Sequence, residues 1–406
     1  AWRHKSFTVT CFVIDPSTQR VYLAGDEQLQ AWDTSSGGKV WEAELPAEVR
    51  SGKAMVSHAA VQPGGDRLFI SVGGCMSDYG TVSAWRASTG DTLWTKTFES
   101  WKAFVCPLAA TETVLFSAGT NFIAWEVATG HQLSNVSLKK KIPQGLAPPP
   151  DPLDYKRRRA PNEFEDRVCG DLWVVGSKVV GLIGLVGTPQ VITWDTACNV
   201  LSETLLPTTY SFMTSAVDVL AGLLVAGTGA LLVGQGGSYG TAVGEVVLID
   251  LGSDRAKWQQ QAASRVKSVA LDRCSKFAFA GDEAGNLSCY GIDTGSVMWQ
   301  VAHSPLPVTK IGMPDGGRHV YFTNSSGCIT ACVLQTGQAL QQFAWHEGEE
   351  VGMLKCEGNI LYSASSGHAS AFDAYAFNYG LVATGDKLAV KTWLCWLGYL
   401  LEVVLL

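Results

Sequence analysis

Residues 31–41 read A-W-D-T-S-S-G-G-K-V-W. The apolar end of one strand runs into Asp33, a Ser/Gly turn follows, and a second strand carries Trp41. Close relatives recur as S-A-W-R-A-S-T-G-D-T-L-W at 83–94 and as Y-G-I-D-T-G-S-V-M-W at 290–299. In all three the Trp stands four residues after a turn glycine: Trp41 after Gly37, Trp94 after Gly90, Trp299 after Gly295. Weaker copies lie at 123–133, at 192–201 and in the turn at 335–337. One unit is repeated, and repeat architecture governs the rest of the chain.

Working outward from the first copy, residues 7–45 hold four short apolar runs separated by turn signals at Asp15-Pro16, Gly25-Asp26 and 34–38. Four strands in about 40 residues is the size of one propeller blade. Further units cover 53–98, 103–138, a stretch from 168, 212–263, 265–303, 307–346 and a last one beginning near 350. Each blade alone has two apolar faces, and stacking against its neighbours buries both, while closing the ring removes the exposed ends. The expectation is an all-β chain forming a single closed β-propeller over 1–406. It has eight blades, with the two chain ends sharing one, or seven if the tail lies outside the ring.

Two stretches break the pattern. Residues 139–167 are Pro-rich and charged, without strand periodicity, and read as a long inserted surface loop or arm. Residues 393–406 form an apolar tail with Glu402 as its one charge. A spanning helix needs about 20 apolar residues, so the tail reads as a closing strand, an anchor in a partner subunit or a membrane-interface segment.

Composition narrows the classes. Of 406 residues, 47% are hydrophobic, with 14 Trp and 43 Gly, which suits many short strands joined by tight turns. The formal charge of -7 argues against a general nucleic-acid or anionic-membrane surface. Eleven scattered cysteines, none adjacent to another, read as small core hydrophobes in a reducing intracellular compartment. The sequons at Asn135, Asn286 and Asn324 then carry no meaning.

In its A-W-D-x-x-x-G-x-x-x-W units the chain resembles the pyrroloquinoline-quinone-like repeat propellers. That family includes the quinoprotein alcohol dehydrogenases and the non-enzymatic outer-membrane assembly lipoproteins. Its unit pairs an Asp on the third strand with a Thr-Gly turn and a Trp on the fourth strand. The matching positions are Asp33, Gly37 and Trp41; Thr89, Gly90 and Trp94; and Asp293, Thr294, Gly295 and Trp299. Physically, the glycine tolerates the positive φ of the turn. The Asp accepts turn N–H groups, and the indole fills the wedge between blades. The WD-repeat propellers are the neighbouring family, with Trp32-Asp33 and Trp194-Asp195 as the shared dipeptide and no Gly-His start.

Candidate chemistry is sparse. The resemblance implies, for an enzyme, a metal-binding set of acidic and amide residues, a catalytic Asp and often an adjacent Cys pair, and none of these finds a match. G-G-S-Y-G at 236–240 fits G-x-S-x-G in spelling, but a nucleophile elbow needs a strand–turn–helix context, and this stretch lies in a Gly-rich hairpin. Cys328 and Cys332 share one strand face and read as core. The seven histidines are dispersed. The basic clusters Lys139, Lys140, Lys141 and Arg157, Arg158, Arg159 are the strongest local charge signals. They read as a solvated loop, a docking arm for an acidic partner, or a nucleic-acid contact. The resulting expectation is a non-catalytic protein-interaction scaffold, a subunit of a larger assembly, without cofactor or small-molecule substrate. Its partner contacts are placed at those six residues and at Trp393 and Trp396. The competing class is a quinoprotein-like enzyme or small-ligand sensor with a site at the central channel.

Overall fold

Burial along the repeats dictates the architecture. Second strands such as Arg20–Gly25 and Arg67–Gly73, and third strands such as Gln28–Asp33 and Asn121–Glu126, are buried almost continuously, so both of their faces are covered. Fourth strands alternate exposed and half-buried residues, as in Lys39–Glu44, Gln132–Ser137, Val200–Leu205, Val297–Ala302 and Ala339–Ala344. A sheet covered on both faces at its centre and wet along one edge is a blade standing radially in a ring.

The computed structural model describes residues 2–5, 8–25, 28–50, 54–73, 79–99, 106–138, 140–141, 164–165, 169–184, 189–208, 210–231, 242–272, 276–314, 316–344, 346, 348–365 and 368–373. They form eight four-stranded antiparallel sheets and one two-stranded ladder. Blade I spans 9–44, II 55–99, III 108–137, IV 169–205, V 211–262, VI 266–302, VII 308–344 and VIII 353–373. The fourth strand of blade VIII is Trp2–Lys5, paired antiparallel to His368–Asp373 with Trp2 opposite Ala371 and Lys5 opposite His368. The ring therefore has eight blades and is closed by the N-terminal strand. Helix is confined to the single turn Ala47–Arg50 among the described residues.

First strands of successive blades touch all the way round, blade VIII against blade I included, and so form the hub. Within each blade the chain zigzags outward. Connections after first and third strands therefore collect on one face of the disc, and those after second and fourth strands on the other. Between strands, the first face carries only short turns, none longer than 313–318, and the chain leaves blade VIII on this face after Asp373. The second carries 45–54, 100–107, 138–168, 232–241 and 345–352. The disc is two-sided, with a turn face and a loop face.

The inserted stretch departs from its reading as pattern-free. Lys140–Lys141 pairs antiparallel with Phe164–Glu165, so the insertion leaves and returns through a short ladder at its base. Lys139, Arg157, Arg158 and Arg159, most of the Gly-rich stretch near 236, and the tail with Trp393 and Trp396 lie outside the described residues.

Candidate functional site

The repeated Trp and Gly meet across blade seams. The Trp41 indole lies on the Gly90 turn of the next blade, where a Cβ on Gly90 would fall 2.7 Å from the ring. Its Nε1–H donates to the Ala87 carbonyl at 2.9 Å. Trp94 does the same with Gly130 and the Val127 carbonyl at 3.1 Å. Trp299 does so with Gly337 and the Leu334 carbonyl at 2.9 Å. These turn glycines hold φ between 67° and 81° at positions 37, 90, 130, 295 and 337. The positive φ and the missing Cβ together let an aromatic ring lie flat on the turn.

A fourth latch escaped the motif. Trp258 packs on Gly295 and donates to the Ile292 carbonyl at 2.8 Å. Its own turn uses Asp254 at φ 54 in place of glycine, which hid it. The signal that could have found it is the interval Asp250 to Trp258, equal to Asp33 to Trp41.

Asp33 caps its turn: its carboxylate accepts the Ser35 and Ser36 N–H groups at 3.0 and 2.7 Å. The Ser35 hydroxyl and these amides hold its pKa down to about 2. Asp195 and Asp250 cap in the same way. Asp293 does not. The ladder places Gly291, not Asp293, at the position equivalent to Asp33, and the Asp293 carboxylate faces Lys257 Nζ at 3.5 Å. The reading of Asp293 as a turn cap is thus corrected: it sits two residues late, inside the turn.

The hub holds a cluster that the sequence reading missed. His58, Asp171 and Lys310 stand at equivalent ladder positions on the first strands of blades II, IV and VII. Asp171 Oδ2 accepts the Ser215 hydroxyl of blade V. Burial pushes the Asp171 carboxyl up to about 6, against the Ser215 hydrogen bond and the Lys310 charge. His58 Nδ1 accepts the Leu108 N–H at 3.3 Å. Burial, with Lys355 adding, brings the imidazole down to about 4. Burial likewise lowers Lys310, opposed by Asp171 and Glu350 and reinforced by Lys267. Lys310 is nevertheless exposed, while His58 and Asp171 keep partial exposure. Groups that water reaches, that protein encloses, and that feel charges several blades away line the central channel.

This cluster does not suit the metal set of the quinoprotein resemblance. Three lysines repel a divalent cation, and among the described residues no group of three His, Cys, Asp or Glu could hold one. The eight cysteines among the described residues are free; Cys328 is half-buried and the others are buried, with Cys332 fully so and its Sγ 3.4 Å from His303 Nε2.

With this geometry in hand, comparison places the chain among known propellers. The family described as outer membrane protein assembly factor BamB matches residues 25–152 and 193–374, most of the chain. The chain belongs to the BamB family. A comparison with the curated proteins finds no match. Among solved structures, BamB from Moraxella catarrhalis is similar at 12% identity with a TM-score of 0.60, covering 92% of this chain and 98% of that one. The C-terminal WD40 domain of Sif2 is similar at 11% identity and 0.65, covering 91% and 97%. The computationally designed Ika8 protein is similar at 16% identity and 0.62, covering 90% and 96%. At such identities the likeness is one of fold. For this BamB-family chain the PQQ-like and WD40-like resemblance read from the repeats holds.

Proposed function

We propose that this BamB-family propeller is a non-catalytic protein-interaction scaffold, one subunit of a larger assembly, and that it engages its partner through the loop face. The observation that carries the reading is the sorting of connections between strands: every long one leaves from one face, while the opposite face carries tight turns and the exit of the chain after Asp373. Binding surfaces concentrate on loops held by a rigid frame, and the Trp–Gly latches supply that frame. The Lys140–Lys141 ladder is reached from a connection on this face, and the sequence of the insertion, with Lys139–Lys141 and Arg157–Arg159, suits an acidic protein surface. The same reading leaves Trp393 and Trp396 as a second anchor.

The test is a native pull-down with mass spectrometry on the full chain, beside a variant in which 142–163 is replaced by a short Gly-Ser turn on the retained ladder. Specific partners captured by the full chain and lost from the variant support the reading. Turnover of a small substrate by a purified chain that captures no protein overturns it.

A further inference from the structure

The third strands carry a series of large side chains distinct from the fourth-strand latches. At ladder-equivalent positions blades I–IV hold Trp32, Trp85, Trp125 and Trp194, and blades V and VI hold Ile249 and Tyr290. Each packs on the seam with the preceding blade, as Trp85 does among Tyr22, Leu29 and Ala31 of blade I. Blade VII holds Cys332 at that position, facing blade VI with a far smaller side chain.

Blades I and II show what is missing. Trp32 Nε1–H donates to Gln30 Oε1 at 3.0 Å and Trp85 Nε1–H to Ser83 Oγ at 2.8 Å, each acceptor two residues back on the same strand face. The equivalent residue in blade VII is Thr330, opposite Phe322 as Gln30 is opposite Leu23 and Ser83 opposite Ile70. The acceptor is kept and the indole is gone. A cavity of about 200 Å³ stands there, lined by Phe322, Thr330, Leu340 and Gln342 and bounded toward the loop face by His303 and Asn324. His303 leans on the Phe322 ring, centroids 5.0 Å apart, and turns Nε2 to Cys332 Sγ, so it walls the cavity without filling it.

Among the described residues no Lys, Arg, Asp or Glu lines this cavity, so it matches an uncharged occupant. It is smaller than the roughly 300–1,000 Å³ that encloses a whole drug-sized ligand, and suits a single ring. Leu340 is exposed at its rim, so the ring enters from outside the disc. A ring reaching into a pocket from a larger molecule is the way tryptophan anchors protein partners. We propose that the cavity is a tryptophan seat left open for a partner protein, whose indole lies against Phe322 and Leu340 and donates its N–H to Thr330. The inference rests on the scaffold reading and adds the chemistry of the anchor.

Titration of the full chain with N-acetyltryptophanamide, followed by ligand-observed magnetic resonance, tests the seat. The expected result is saturable binding, weakened about fivefold by Thr330→Val. The 1-methyl analogue of the probe, which has no indole N–H, binds the wild type and Thr330→Val alike. Cys332→Trp refills the seat from within and abolishes binding, as does Leu340→Glu, whose exposed position guards against misfolding of the first variant. Leu133→Glu, at the equivalent rim position of blade III, leaves binding unchanged. In the pull-down, partners captured by the wild type are lost from Leu340→Glu and kept by Leu133→Glu. Absence of saturable probe binding overturns the proposal, as does unchanged binding in Leu340→Glu. Binding that appears only in a chain carrying Trp393→Ala and Trp396→Ala also overturns it, and gives the seat to this chain's own tail. Partners still captured by Leu340→Glu overturn the inference and leave the scaffold reading standing, whereas a wild-type chain without specific partners removes both.

Discussion

At the scale of single residues, the same glycine has two jobs that can be separated. Gly337 and Gly316 both hold a positive φ, 70° and 62°. A Cβ on Gly337 would meet the Trp299 ring at 2.5 Å, whereas one on Gly316 would meet nothing within 4 Å. Gly316→Ala therefore costs only the left-handed strain, about 1–2 kcal/mol, while Gly337→Ala adds overpacking and costs about 2–4 kcal/mol. Urea unfolding of the two variants measures the difference, and equal losses would show that the indole does not rest on the turn. The hub yields a second prediction through protonation. Asp171, raised to about 6, is costly when ionised, so its contribution improves as pH falls from 6 toward the ordinary 3.8. His58, lowered to about 4, acts oppositely: the unfolded chain takes the proton first, and stability drops as pH falls from the ordinary 6.5 toward 4. The two slopes oppose each other in the wild type. Asp171→Asn removes the first, raising stability near neutral pH by on the order of 1–2 kcal/mol after allowing for channel water. It also unmasks a steeper loss between pH 6.5 and 4. Thermal unfolding across that range checks both, and a variant whose pH profile parallels the wild type would refute the assignment.

At the scale of the element, what decides cohesion is the seam rather than the blade. Trp latches join I to II, II to III, V to VI and VI to VII. On blades III, IV and VII the equivalent positions carry Ser134, Ser202 and Gln341, and on blade VIII Trp2 stands opposite Ala371 as Trp41 stands opposite Ala31. At the turn that Ser134 meets, Cys198 takes the positive φ of 69° in place of glycine, so residue and partner have changed together. Blade IV has an unlatched seam on both sides, and the IV–V seam is filled largely by aliphatic side chains such as Val180, Leu182, Leu224 and Val247. Truncating a buried Trp costs about 3–5 kcal/mol, so seams built without one open at lower free energy. Native-state hydrogen exchange is expected to show the amides of Val179–Ile183 in blade IV exchanging through a partial opening, before those of Leu68–Val72 in blade II. Matching exchange free energies in the two blades would remove the latch as the source of cohesion. The repeat made most of this legible: Gly-x-x-x-Trp fixed the seams at Trp41, Trp94 and Trp299. It misplaced Asp293 and missed Trp258 because turns of unequal chemistry can share one backbone path. Asp254 reaches with an acidic side chain the φ that Gly37 reaches without one.

At the scale of the whole molecule, the period along the chain says which residues are equivalent but not which ones meet across the ring. Asp171 and Lys310 are distant in sequence and share no motif, and only closure brings blade IV and blade VII to one channel. The candidate channel site was illegible for that reason, whereas the sorting of long and short connections onto two faces follows from strand parity and was recoverable. Closure itself rests on four residues: Trp2–Lys5 supplies the outer strand of blade VIII, in register with His368–Ala371. Joining the two chain ends in one blade makes every other blade's packing depend on that ladder, because an open ring leaves the facing sides of blades VIII and I unsupported. Removing residues 1–7 strips the ladder bonds, each contributing about 0.5–1.5 kcal/mol, and bares the edge of His368–Asp373 to other chains. The shortened chain is expected to melt at lower temperature and to self-associate in sedimentation. The antiparallel register also predicts a cure. A permuted chain that begins at residue 8 and carries residues 2–5 through a tight turn after Asp373, in place of 374–406, restores the fourth strand from the other end. Recovery of wild-type melting and of a monomer in that permutant assigns the loss to the missing strand. If the permutant melts as low as the truncated chain, the closing ladder is not what holds the ring shut.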